Sequence, residues 1–324
     1  MQKPLKPYLP TADLIQKLTD RGMALDPGLA ERWLDVVGYY RLSGYWYTYR
    51  KLDPAGGIQR LDTFLPGTSF GDIAALYEFD RKLRGHMLDG LERVEVALRS
   101  SLNEELGALG PLAYTDPANF APDFDHGSWL DTAERRIKRA ARSSRSVQHY
   151  ADKYDSNYPL WVLADHLDFA DSSRLFEALP AKRQWSGGGT TGSIQVDRSK
   201  LSNNQRKKVS KAHPLVRWLE QITIVRNTGA HHSRLWNRSF TPAGTAGLKT
   251  DPGFETLPEG QSERLYGAAL LTAKILTTVS PGSSWADKFR RLLNESLETI
   301  PLRSAAELGC PANWDSAPDS PFTP

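Results

Sequence analysis

The sequence predicts an all-α protein of long helices with one small β-hairpin and aromatic element near its N-terminus. Apolar residues recur at helical steps through six separate stretches, the strongest spanning about 68–106. Residues that start helices stand in front of several of these stretches: Thr11, Asp26-Pro27, Ser128 and Pro214. Only one place, the aromatic run that leads into Asp53-Pro54-Ala55-Gly56-Gly57, carries a strand-and-turn pattern.

Thr11 ahead of Asp13-Leu14-Ile15-Gln16-Lys17-Leu18 reads as the cap of a short helix. Asp26-Pro27 opens a second helix with proline at its first position, and Leu29, Trp33, Leu34 and Val37 form its buried stripe. Six aromatic residues then fall within the thirteen from Gly38 to Arg50. The second half of that run reads as a strand, turned by residues 53–57 onto a partner near 58–65. Clustered Tyr and Trp beside a helix read first as core with satisfied polar tips, and second as a surface that stacks unpaired bases.

In the long helix the stripe is Leu76, Leu83, Met87, Leu91, Val94, Leu98, Leu102 and Leu106, with Gly85 and Gly90 as candidate kinks. Residues 110–125, rich in Pro, Asp and aromatics, read as a loop. Ser128 then caps a helix that turns Trp129, Ala133, Ile137 and Ala140-Ala141 inward, with Arg135, Arg136, Lys138, Arg139, Arg142 and Arg145 on its other face. A further helix is expected from Leu160-Trp161-Val162-Leu163-Ala164 towards Leu179, before Pro180. The glycine-rich segment 186–193 and the basic run 198–211 predict a flexible, basic surface loop.

Pro214 starts a helix whose apolar stripe is Leu215, Trp218, Leu219, Ile222 and Val225. It delivers Arg226-Asn227 and ends near Gly229 or shortly beyond. A Gly- and Pro-rich loop over 241–260 precedes two last helices, 262–279 and 284–297. The division expected is an N-terminal part over 1–66, a helical core over 67–300 and a Pro-containing tail over 301–324.

A 324-residue chain with 40% hydrophobic residues is long enough to bury a core without staples. Its one cysteine, Cys310, excludes an internal disulfide framework and a zinc finger, and suits a reducing compartment. The N-terminus Met1-Gln2-Lys3-Pro4-Leu5-Lys6-Pro7 has no apolar leader, and no run approaches the roughly 20 apolar residues of a membrane span. A cytoplasmic protein is expected. A net charge of +3 is too small to imply a polyanion partner by itself. Its distribution is uneven, however: residues 129–217 hold 17 Lys and Arg against 9 Asp and Glu, so a net +8 sits mid-chain.

The candidate chemistry is Arg226-Asn227-Thr228-Gly229-Ala230-His231. Cleaving RNA without a metal needs activation of the ribose 2′-OH, stabilisation of charge on the phosphorus centre and a proton for the leaving oxygen. Imidazole titrates near neutrality and moves the proton, while guanidinium stays charged and offers phosphate a planar fork of donors. Asn227 is placed to orient one or the other. Five residues are about 500° of helix, so Arg226 and His231 stand about 140° apart on an ideal helix and share no face. Asn227 and His231, four apart, do share one. Bringing Arg226 into the same site takes its long side chain, a helix end, or a second subunit, which makes a homodimer the expectation.

Supporting roles go to His232, as second proton carrier or structural partner, and to Arg234, as phosphate or intersubunit contact. With no Asp or Glu between Arg226 and Arg238, the adjacent histidines give little support to a zinc nuclease. Neither a metal nor another cofactor is expected. Arg135, Arg136, Arg139 and Arg142, with Arg206, Lys207 and Lys208, are the candidate contacts to RNA backbone, the alternative for each being a solvated face. Glu92, Glu95 and Arg99 either support the site from the long helix or form an ordinary surface i,i+4 pair.

The segment Ile224-Val225-Arg226-Asn227-Thr228-Gly229-Ala230-His231-His232-Ser233-Arg234-Leu235-Trp236-Asn237-Arg238 resembles the signature of Abi-like abortive-infection proteins of the AbiD/AbiF type. Further segments fall in that family's order. They are Tyr39-Tyr40-Arg41-Leu42-Ser43-Gly44-Tyr45-Trp46, Tyr77-Glu78-Phe79-Asp80-Arg81-Lys82-Leu83-Arg84, Leu91-Glu92-Arg93-Val94-Glu95-Val96-Ala97-Leu98-Arg99, Tyr158-Pro159-Leu160-Trp161 and Leu308-Gly309-Cys310-Pro311-Ala312-Asn313-Trp314. The family is similar to HEPN-type helical ribonucleases, in which an Arg-x4-6-His motif forms a metal-independent site across a homodimer. The resemblance implies a HEPN-like bundle and phage defence by RNA cleavage, leaving 2′,3′-cyclic phosphate ends. It also implies partners: a target RNA, and in some relatives a small non-coding RNA. Arg226 and His231 match the motif's ends and Asn227 the polar residue after the Arg. Residues 165–173 depart from the family pattern and carry no assigned role. No DNA or membrane partner is implied. The alternative is a catalytically silent RNA-binding or toxin–antitoxin module that holds a structured RNA with the same residues.

Overall fold

The computed structural model describes residue 5, residues 7–186 and residues 188–324. Met1–Pro4 and Lys6, read above for a leader, and Gly187 of the glycine-rich segment lie outside the described residues. Among those residues the protein has fourteen α-helices and two small antiparallel strand pairs. It is an all-α protein with a small hairpin near the N-terminus. The chain divides into two compact units: residues 1–83 with 294–304, and residues 84–293 with 305–324.

The first unit begins with α1 (Thr11–Asp20) and α2 (Pro27–Val36). The Thr11 hydroxyl donates to Asp35 Oδ1 at 2.9 Å, which puts the start of α1 beside the end of α2. Asp26 caps α2 by accepting from Leu29 N–H, with Pro27 at the first helical position. The aromatic run departs from the strand expectation: Tyr39–Trp46 is a helix, α3, followed by a 3-10 turn over Tyr47–Tyr49. Leu42, Tyr45, Trp46 and Tyr49 are all buried, and their spacing is that of one helix face. Burying that face outweighs the β-propensity of the individual rings. The core reading of the run applies to these residues, while Tyr40 and Tyr47 are exposed. Tyr45 Oη donates to the fully buried Asp80 at 2.7 Å, satisfying both groups.

Strands follow only at β1 (Arg50–Leu52) and β2 (Arg60–Phe64), paired antiparallel with Arg50 opposite Phe64 and Leu52 opposite Arg60. Asp62 pairs with both Arg21 and Arg50 at 3.0 Å, fastening the hairpin to the loop after α1.

Helix α4 (Phe70–Gly107) is unbroken for 38 residues, and its first fourteen belong to the first unit. Every residue of its predicted stripe is buried. Neither glycine breaks it. Gly90 serves packing instead: a Cβ there would stand 2.6 Å from the Trp285 ring and 2.8 Å from Thr272 Cγ2. His86 and Trp285 lock the same contact, since Trp285 Nε1 donates to the His86 carbonyl at 2.9 Å and the rings stack at 4.6 Å.

The rest of the second unit is α5 (His126–Ala140), α6 (Arg145–Lys153), α7 (Leu160–Leu163), α8 (Phe169–Ala178), α9 (Ala181–Ser186), α10 (Gly189–Gly192), α11 (Asn203–Lys211) and α12 (Leu215–Ala230), then β3 (Ala243–Gly244), β4 (Gln261–Ser262), α13 (Leu265–Val279) and α14 (Trp285–Leu297). Asp125, rather than Ser128, caps α5 by accepting from Ser128 N–H. The single helix expected over 160–179 is broken at Leu167-Asp168, because Asp168 and Asp171 form a reciprocal capping box that starts α8 afresh. The basic loop expected near 186–211 instead carries α10 and α11. Ser202 and Gln205 cap α11 reciprocally, Val209 is buried, and Trp185 Nε1 donates to the Val209 carbonyl at 3.2 Å.

Helix α12 is the axis of this unit and packs on α8 and α13. All five residues of its predicted stripe are buried, contributing on the order of 10 kcal/mol before ordering costs. Trp218 Nε1 donates to the Gly244 carbonyl, and Gln221 Nε2 donates to the carbonyls of Thr241 and Ser262, so the loop before α13 is held to α12. Residues 305–324 place Leu308, Cys310, Trp314 and Phe322 in the interior, with the Phe322 ring 5.1 Å from that of Phe289. Among the described residues no helix is long and apolar enough to cross a membrane.

Candidate functional site

The buried stripe of α12 fixes which way its last turn faces. Gly229 lies against α4, where a Cβ would be 3.5 Å from Leu88 Cγ. One turn earlier on α12, Arg226 meets Glu95, two turns further along α4, so the two helices run antiparallel here. Arg226 Nε stands 3.6 Å from Glu95 Oε2, and Arg226 Nη1 donates to Asn227 Oδ1 at 3.2 Å. The guanidinium is therefore held from two sides while its side chain stays 35% exposed.

Glu95 is buried at 7% exposure, and its other oxygen accepts from Arg99 Nη2 at 2.5 Å. Arg99 also donates to the Leu167 carbonyl at 2.6 Å. Burial pushes the Glu95 carboxyl above its ordinary value, against the downward pull of Arg99 and Arg226; Asp168 and Glu92 add to the rise. Asp168 and Asp171, next along from Leu167, pair with Arg136 of α5, the Asp171 contact at 2.9 Å. Basic and acidic groups thus alternate from α12 through α4 to α8 and α5. Cross-helix pairs of this kind orient the groups they join more reliably than they add stability.

Past Arg226 the helix ends in a left-handed turn. His231 is the C-cap, its N–H on the Asn227 carbonyl at 3.0 Å, and His232 takes φ +57°, a conformation uncommon outside glycine. His232 N–H donates to the Gly229 carbonyl and Ser233 N–H to Thr228, both at 2.9 Å, which satisfies the last carbonyls of α12. The His231 imidazole is exposed and makes no hydrogen bond among the described residues. Beyond the turn Leu235 and Trp236 are fully buried and anchor the chain, with the Arg234 guanidinium 5.6 Å from the Trp236 ring centre.

The sequence-predicted residues thus fall into three groups. Arg226, Asn227 and Glu95 are joined by direct contacts, and His231 follows at the helix end. Arg135, Arg139 and Arg142 are exposed on and just beyond α5, whereas Arg136 is committed to Asp168 and Asp171. Arg206, Lys207 and Lys208 are exposed on α11, where Arg206 donates to the carbonyls of Arg198 and Ser199. Asp168 and Asp171 carried no assignment from sequence; the signal that places them is the Asp-x-x-Asp spacing of a helix start. Among the described residues no group of three or more His, Cys, Asp or Glu side chains gathers as metal ligands do.

A cleft of about 910 Å³ lies at the opposite end of α12, lined by Glu177, Gln184, Lys208, His213 and Arg217 among others. Burial holds the His213 imidazole down to about 4, and its Nδ1 accepts from Leu215 N–H at 3.1 Å. It starts the helix rather than acting on the Arg226 side.

Residues 32–237 match the family described as Abi-like protein, and the chain belongs to that family. The matched span contains Glu95, Arg136, Asp168, Asp171, Arg226 and His231. No curated protein and no solved structure matches the chain. Membership connects it with abortive infection, a form of defence against phage.

Proposed function

We propose that the protein is an abortive-infection endoribonuclease whose site is assembled from Arg226, Asn227 and His231 in two copies of the chain. The observation that carries this reading is an arginine fixed by Glu95 and Asn227, five residues before an unengaged histidine at a helix end. Arg226 keeps donors for a phosphate oxygen, and charge developing there in the transition state is stabilised by a group already in place. The ribose 2′-oxygen attacks the adjacent phosphorus, the O2′–P bond forms and the P–O5′ bond breaks. The 2′-OH proton goes to one imidazole and the 5′-oxygen receives a proton from another. One His231 from each copy supplies base and acid, which suits a twofold pair.

The fragments then end in a 2′,3′-cyclic phosphate and a 5′-OH, with no metal required. The test is incubation of purified protein with a mixed RNA substrate in EDTA, with mass analysis of the ends. Cyclic phosphate ends produced by the wild type and not by His231→Ala support the reading. Cleavage lost on chelation, or RNA bound and never cut at any protein concentration, contradicts it.

A further inference from the structure

We infer that the α5–α6 hairpin is a docking platform for single-stranded RNA, aligned with Arg226; the inference rests on the ribonuclease reading above. Helix α6 buries one residue, Val147, and leaves most of its remaining surface to solvent. On that surface three rings pack on each other: Tyr150 and Tyr154 stack with centres 4.7 Å apart, and His149 meets Tyr154 edge-on at 5.6 Å. Tyr154 is 51% exposed, so about half of the residue remains open to solvent. The end of α5, the connection after it and α6 itself carry Arg139, Arg142, Arg145 and Lys153, all exposed, and none forms an ion pair among the described residues. Asp152 is the only acid between 139 and 154.

Rings and free guanidinium groups together match a chain that shows both phosphates and unstacked bases. A duplex offers phosphates but hides its base faces, and so has no use for the tyrosines.

The platform is also tied to the candidate site. Arg136, one turn before Arg139, holds Asp168 and Asp171, and the Ser144 hydroxyl lies 3.2 Å from His166 Nε2. Both ties reach the segment 166–168, whose Leu167 carbonyl holds Arg99 and through it Glu95 and Arg226. Helix α11 is equally basic and has neither feature. Arg206 is spent on nearby carbonyls, no aromatic residue occurs on the helix, and among the described residues no side-chain hydrogen bond or ion pair joins it to the Arg226 cluster.

The test uses full-length His231→Ala protein and a labelled 12-nucleotide single-stranded RNA, followed by fluorescence anisotropy. Tyr154→Ala is expected to weaken binding about tenfold with an unchanged salt slope, and Tyr154→Phe to bind as the parent. Replacing Arg139, Arg142 and Arg145 together by Ala is expected to lower the slope of log affinity against log salt by about 2. The same RNA annealed to its complement is expected to compete poorly. Equal binding by Tyr154→Ala, or equal competition by the duplex, overturns the platform and leaves a general cationic face. An acidic protein bound in place of RNA by the arginines overturns it as well. Full cleavage by these variants on a His231 background removes the platform and keeps the ribonuclease; weakened binding with no cleavage by the wild type does the reverse.

Discussion

The two ends of the Arg226–His231 segment are built differently. Arg226 is gripped by Glu95 and Asn227 and backed by a chain of charges through Arg99. His231, at the cap of the same helix, is exposed and its ring has no partner among the described residues. On the proposed function, one half is preorganised for a charge that does not move, and the other is left free for a group that must exchange protons. A histidine without an orienting hydrogen bond is an incomplete general acid or base, so the difference points to a missing component: bound RNA, or the second copy of the chain.

The largest effect is expected where that free half is removed. His231→Ala should lower the cleavage rate about a thousandfold with RNA affinity retained, measured by single-turnover kinetics beside anisotropy. Arg226→Ala should cost about a hundredfold or more in the same measurement, and Arg226→Lys should not rescue it, because an ammonium lacks the fork needed for Glu95, Asn227 and a phosphate together. Equal and small losses at both positions would erase the contrast.

Smaller effects test what holds the gripped half. Gly90→Ala forces a Cβ to within 2.6 Å of Trp285 and should destabilise the fold by about 2–3 kcal/mol in denaturant unfolding, through the helix that carries Glu95. Glu95→Gln should slow cleavage about tenfold while leaving the fold in place. It should also change the acid limb of the pH–rate profile. The Glu95 carboxyl is raised above its ordinary 4.5, so on acidification it takes up its proton early and releases Arg226. Between 4.5 and the raised value the folded state binds the proton more tightly than the unfolded state, and this group's contribution to stability falls as pH rises.

His213→Asn keeps an acceptor for the Leu215 N–H and should change little near neutrality. It should flatten acid destabilisation, because the unfolded imidazole protonates at 6.5 and the folded one at about 4. In that window the wild type loses roughly 3 kcal/mol as pH falls.

Helices α4 and α12 were legible in sequence because each buries a long stripe at helical spacing. The aromatic run was not: Tyr and Trp favour strands one residue at a time, and only the joint spacing of Leu42, Tyr45, Trp46 and Tyr49 reveals a helix. Helix α11 was hidden by its charge, since Val209 is its single buried residue, although Ser202-Asn203-Asn204-Gln205 carries a capping box. Within the site, Arg226 and His231 announce themselves by spacing and family likeness. Glu95 does not, because an acid four residues before an arginine on one helix reads as a local pair. It makes that local pair with Arg99, and its contact with Arg226 depends on how α4 and α12 pack.

The shared site is tested most directly by mixing wild type with an equal amount of His231→Ala under conditions that exchange subunits. A site that takes one His231 from each copy is complete only in wild-type pairs, so random pairing should leave about a quarter of the cleavage shown by the same total amount of wild type. About half remaining, with both proteins dimeric, would place base and acid in one chain and contradict a site shared between copies.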